Sequence, residues 1–221
     1  MARPADWSVA GPRHEIFDYD SLPLVGRLSL WLSNQLIVSH LQPGIWLDLL
    51  CGYRALLQRS QHGNNHIVGF YCLDHRLDPG LAEYGFQLAE CNIDKTLPYD
   101  PESFDNITVV NGLEHLWHPQ SILSECQRVL KVGGALQIVV PTWFGKPFLE
   151  FLAFGIRNKQ AYAEMNDHKM YYDERTLWPM LVRAGFEPSA LRIRRTKAFC
   201  SLYVRARRTR TSAPPLLPAI T

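Results

Sequence analysis

Between residues 45 and 140, short apolar runs alternate with longer stretches whose apolar residues recur at helical spacing. IWLDLL (45–50), HIVGFY (66–71), FQLAECN (86–92), FDNITVV (104–110) and ALQIVV (135–140) each have strand length and turn residues at their borders. Between them, ALLQRSQ (55–61) and PQSILSECQRVLKVGG (119–134) are spaced for helices. In the second, Ile122, Leu123, Cys126, Val129 and Leu130 share one face, Pro119 opens the helix and Gly133-Gly134 are expected to close it. Strand–helix alternation of this kind forces a mostly parallel sheet with helices on both faces, because a parallel crossover needs a helix's worth of chain. On such sheets ligands bind beyond the C-terminal strand ends, where strand order reverses. The positions to interrogate are therefore 47–54, 71–74, 91–94 and 110–115.

Flanking segments complete the plan. LPLVGRLSLWLSNQLIVSHL (22–41) is spaced for a helix with Pro43-Gly44 as its stop, and DERTLWPMLVRAGF (173–186) for another with a glycine stop. LRIRRTKAF and CSLYVRAR are expected to close the sheet as an antiparallel pair. We expect an arm over 1–21, one domain over 22–207 and a Pro-rich disordered tail over 208–221. The 221 residues are ordinary for one globular domain, with 47% hydrophobic and 20% charged residues. A net charge of +2 selects no partner, although eight Arg and Lys residues crowd positions 192–210. They read as solvated strand edges and a basic tail, or as a contact for an acidic substrate, phospholipid headgroups or RNA. Cys51, Cys72, Cys91, Cys126 and Cys200 are odd in number and form no CxxC pair, which points to reduced thiols in a cytoplasmic protein with no disulfide framework. No secretory h-region and no run of the roughly 20 apolar residues that a bilayer span needs is present. Peripheral membrane contact stays open, and the oligomeric state is not readable.

The middle of the chain carries a sharper signal. LPYDPESFDNITVVNGLEHLWHPQSILSECQRVLKVGGALQIVVPT (97–142) resembles the post-strand-3 and strand-4 block of class I S-adenosylmethionine-dependent methyltransferases of the methyltransferase type 11 kind. The likeness is carried by an LP-aromatic turn, an SFD strand start, an LEH strand end, a helix running into RVLK-GG and a strand ending Val-Pro. It continues weakly through LVRAGFEP to about residue 205. It implies a Rossmann-like, doubly wound, mostly parallel seven-stranded sheet, with S-adenosylmethionine as methyl donor and S-adenosylhomocysteine as product.

The resemblance assigns cofactor positions residue by residue. Asp48 matches the acidic end of strand 1, and Cys51 and Gly52 fall in the glycine turn that follows. Leu50 and Arg54 stand where that turn's first and third glycines are expected. Leu50 either narrows the methionine pocket or points into the core. Tyr71 occupies the place of the acidic ribose ligand, and Asp74, three residues on, is the alternative carboxylate. Asn92 falls where an Asp contacts the adenine amine, with Ile93 flanking the ring, and Asn111-Gly112 face the methionine end. Glu114-His115 matches an anchoring pair, with a substrate role for His115 as the other reading.

Methyl transfer asks the protein mainly to align a nucleophile, with a general base for a hydroxyl or amine acceptor. The aromatic-rich stretch 143–172 is the expected substrate cover, and His168 beside Tyr171 and Tyr172 is the candidate base, or else a surface cap. His115, His118 and His168 lack a metal-ligand spacing, so no metal is expected. The acceptor implied is a small or partly apolar molecule, a sugar or a lipid precursor, rather than nucleic acid. The competing class is a methyltransferase fold that has lost catalysis and serves as a binding module. A nicotinamide enzyme is the weaker alternative, because LCGYRA lacks the first glycine of GxGxxG and the 97–142 block does not belong to that fold; NADH binding would revive it.

Overall fold

A computed structural model describes residues 24–51, 67–74, 77, 82, 85–90, 96–155, 162 and 165–209. The helix expected over 55–61 lies outside the described residues, as do most of the expected arm and tail.

Helix α1 spans Leu24–Val38 and leads into β1, Gly44–Leu49. Strands β2 (Ile67–Asp74), β3 (Phe86–Glu90) and β4 (Phe104–Val110) follow, then helix α2 (Pro119–Val129) and strand β5 (Leu130–Pro141). A short helix α3 (Lys146–Glu150), helix α4 (Glu174–Arg183) and strands β6 (Leu191–Thr196) and β7 (Ser201–Arg207) complete the chain. The strands form one sheet in the order β3-β2-β1-β4-β5-β7-β6. Strands β1 to β5 run parallel, and β7 is antiparallel to both β5 and β6. Strand order therefore reverses between β1 and β4, and the crevice beyond their C-terminal ends is the expected ligand position.

Burial follows from the parallel arrangement. In β1, Leu47 and Leu49 join the large core with Ile107, Val109, Leu136 and Ile138, while Trp46 joins Ile37, Phe86, Val139 and Tyr203 on the other face. A strand covered on both faces has no solvent side, which is why IWLDLL is an apolar run rather than an alternation. Helix α4 starts at a capping box: Asp173 accepts from the Thr176 N–H at 2.8 Å, and the Asp173 N–H is bound by the Thr176 hydroxyl.

One boundary differs from the sequence expectation. Helix α2 ends at Val129 instead of running to Gly133-Gly134, and Leu130 is already extended and paired with Phe104. The two glycines work inside β5, where the register shifts. Gly133 is left-handed (φ +86), and a Cβ on Gly134 would stand 3.0 Å from the Asp105 carbonyl oxygen. The described fold also takes in Arg208, the first residue of the expected tail. Arg208 is buried, donates to the Leu130 carbonyl and contacts Glu102 at 3.0 Å.

Candidate functional site

The C-terminal ends of β1 and β4 build the first half of the site. Asp48 is 2% exposed, and its Oδ1 accepts the Thr108 hydroxyl proton across the β1–β4 pair. That hydroxyl in turn accepts the indole N–H of Trp46 at 2.9 Å. A buried carboxylate needs such donors to stay ionised. Leu50 follows with φ +59, a conformation that glycine adopts without cost and leucine does not. Its side chain is half-buried against the core, and a Cβ on Gly112 would lie 2.5 Å from Leu50 Cβ. Asn111 is left-handed as well (φ +49), its N–H bound to the Val139 carbonyl at 2.8 Å. The first turn glycine has thus been exchanged for leucine, and Gly112 provides the space that the exchange requires.

Register places the two ribose candidates along β2. Tyr71 pairs with Leu47 inside the sheet, whereas Leu73 pairs with Leu49. Asp74 is the last residue of β2, one step beyond that pair and level with the turn after β1. The strand runs to Asp74 without a bulge at Tyr71. Gly52, Arg54, Asn92 and Ile93 lie outside the described residues. Cys51 is half-buried.

The second half of the site lies beyond β4 and β5. Leu113–His115 forms one 3₁₀ turn after Gly112, and Glu114 is 1% exposed. Segment 167–172 is tied to this turn: the Lys169 N–H donates to the Glu114 carbonyl at 2.8 Å, and the Tyr172 hydroxyl donates to the Leu113 carbonyl at 3.1 Å. His115 Nδ1 lies 2.8 Å from Asp167 Oδ2. The His115 and His168 rings pack edge to face with centroids 5.0 Å apart, and His168 packs on Tyr171 in the same way. His168 Nδ1 is buried with no hydrogen-bond partner among the described residues. Burial, and then the neighbouring His115, pull His168 down to about 4. Burial lowers His115 also, with Asp167 opposing the shift. A base near 4 is weak at neutral pH, so His168 alone is a poor proton acceptor.

Lys197 was legible only as one basic residue among eight. It opens a turn in which Lys197, Ala198 and Phe199 are all left-handed (φ 51, 50 and 72), docked on Thr142 through the Phe199 carbonyl at 2.6 Å. Burial pulls Lys197 down to about 8, with Glu114 among the groups that oppose the shift. Three consecutive non-glycine residues in this region store strain, which tertiary packing must hold. Glu114 and Asp167 were also missed as working residues. Glu114 had been read only as an anchor in the LEH turn, and the DHK triplet at 167–169, the signal for Asp167, became readable only when the chain brought it to that turn.

Outside this cluster the cover is aromatic. Trp143, Phe144, Phe148, Phe151, Phe154 and Phe199 are all more than 45% exposed. Among the described residues no helix is long and apolar enough to cross a membrane.

Comparison with known proteins agrees with this geometry. Residues 47–138 match the family model described as a methyltransferase domain. A ubiquinone/menaquinone biosynthesis C-methyltransferase UbiE of Xanthomonas campestris is 36% identical over 108 residues, covering 46% of this chain and 42% of that protein. The UbiE of Legionella pneumophila is 29% identical over 223 residues, covering 84% and 87%. The chain spans about half or less of the length of the Xanthomonas relatives it matches. Among solved structures, a Thermotoga maritima S-adenosylmethionine-dependent methyltransferase, described as a possible histamine N-methyltransferase, superposes with a TM-score of 0.61 at 17% identity, covering 84% of this chain and 91% of that one. The Haemonchus contortus phosphoethanolamine N-methyltransferase 2, solved with S-adenosylmethionine, gives 0.62 at 14% identity, covering 81% and 53%. The strand order, the buried Asp48 and the matched block over 47–138 together make the chain similar to class I S-adenosylmethionine-dependent methyltransferases.

Proposed function

We propose that this chain binds S-adenosylmethionine at the β1–β4 switch point and transfers its methyl group to a small aromatic acceptor of the quinone-precursor class. The observation that carries the reading is the pairing at the switch point. A buried, donor-supported Asp48 ends β1, and a side-chain-free Gly112 follows β4 beside it. When bound, the cofactor supplies an electrophilic methyl on a sulfonium. Asp48 orients the turn and accepts from the cofactor's amino group, Gly112 gives Leu50 room beside the methionine end, and Asp74 serves the ribose hydroxyls. Asn92 and Ile93 keep the adenine roles that the family match gives them, and Cys51 and Gly52 the backbone of the turn.

The acceptor class rests on two supports. Several relatives are named ubiquinone/menaquinone biosynthesis C-methyltransferases. The exposed aromatic cover over 143–154 suits an apolar ring better than a sugar. Acceptor activation belongs to the Glu114, His115, Asp167 and His168 cluster rather than to His168 alone.

Calorimetric titration with S-adenosylhomocysteine, with a folded Asp48→Ala variant beside it, tests the reading. Micromolar binding that the variant loses supports it. Absence of binding at millimolar ligand would mean that Leu50 has closed the site and that the chain is a binding module.

A further inference from the structure

We infer that Glu114, His115 and His168 form a site for one divalent cation of the zinc type. Each residue offers one ligand atom, and the three atoms lie within 4.8 Å of one another. Two imidazoles and one carboxylate is a donor set that suits borderline cations such as Zn²⁺, Co²⁺ or Fe²⁺ and leaves coordination positions open. A bound zinc ion at about 2.0–2.2 Å from each ligand needs the ligand atoms roughly 3.3 Å apart, so the set must contract by about 1.5 Å. His168, half-buried on a segment outside any helix or strand, has that freedom.

Two further observations point the same way. His115 Nδ1 lies 2.8 Å from Asp167 Oδ2, so Nε2 is the ring nitrogen left for a cation. A carboxylate behind a ligating imidazole fixes its tautomer and strengthens it as a ligand. His168 Nδ1 is buried without a hydrogen-bond partner among the described residues, an arrangement that costs stability unless something occupies it. The field is near balance before any cation enters. Glu114 and Asp167 carry negative charge, and Lys169, 2.9 Å from Asp167 Oδ1, and Lys197 carry positive charge. The cluster sits immediately after Gly112, on the acceptor side of the proposed cofactor site. A cation there would bind and polarise an acceptor oxygen; that role rests on the methyl-transfer reading, whereas cation binding does not.

The test uses tag-free full-length protein and cobalt(II) alone, followed by absorption in the visible. We expect one Co²⁺ per chain with d–d bands of a low-coordinate N/O site, displaced by one equivalent of Zn²⁺. His168→Asn, whose melting is checked by circular dichroism, should weaken binding at least tenfold, as should Glu114→Gln. His118→Asn, on the exposed N-cap of α2, should bind as the parent does. No binding at millimolar Co²⁺, or equal binding by the parent and His168→Asn, overturns the site. Because no methyl donor is present, failure here is separate from failure of the cofactor reading.

Discussion

Gly112→Ala probes the exchange of glycine between the ends of β1 and β4. Its backbone (φ −132, ψ −35) is open to alanine, so any penalty is steric. The new Cβ would meet Leu50 Cβ at 2.5 Å, Leu50 Cδ1 at 3.2 Å and the Leu50 carbonyl oxygen at 3.3 Å. Two of these three contacts vanish when Leu50 becomes glycine. Overpacking of this kind costs about 1–3 kcal/mol, or roughly 2–12 °C in melting temperature for a chain of this size. Leu50→Gly relieves about 1–2 kcal/mol of left-handed strain and loses half-buried packing of comparable size, so it should be close to neutral. The double variant is therefore expected to recover most of the Gly112→Ala loss. The coupling should be about 1–2 kcal/mol by urea unfolding, well above the ~0.5 kcal/mol of independent sites. In the Leu50→Gly background S-adenosylhomocysteine should also bind more tightly. Equal Gly112→Ala penalties in both backgrounds would refute the idea that Leu50 fills the space that Gly112 leaves.

Two other perturbations follow from the same geometry. Thr108→Val keeps the shape of a fully buried residue but strips the donor from Asp48 and the acceptor from Trp46 Nε1. Urea melts should show a loss of about 2–4 kcal/mol, with Thr108→Ser near the parent. Glu125 is pushed up by burial, but bonds from Arg128 and from the Leu97 N–H at 2.7 Å outweigh this and hold it below the ordinary 4.5. Its folded value lies below its unfolded one. Its contribution is therefore complete above pH 4.5 and is lost as pH falls through the lower, folded value. Glu125→Gln should cost about 1–2 kcal/mol at pH 7, and the gap from the parent should close in acid. A gap that stays constant down to pH 3 would remove Glu125 as the clamp of the Leu97–Tyr99 turn.

Chain order, strand identity and the family match were determined by local pattern alone. FDNITVV at 104–110 is strand β4 to the residue, because β-branched density and flanking turn residues act over a few positions. The end of α2 was not readable in this way. Leu130 completes an apolar helical stripe, yet its pairing with Phe104 takes it into the sheet, a contact 26 positions away in the chain. The same holds for the candidate site. Asp48 and Gly112 were visible as strand ends, and Leu50 as a missing glycine. The places of Tyr71 and Asp74 relative to the end of β1 needed the β1–β2 register. Glu114, His115, Asp167, His168 and Lys197 come from three separate segments, and no spacing in the sequence relates them. They meet because the Lys169 backbone N–H and the Tyr172 hydroxyl tie the cover to the turn after β4, and a strained hairpin brings Lys197 to the same place. Periodicity reports what one segment will bury. Only packing decides which polar groups, once buried, must answer one another.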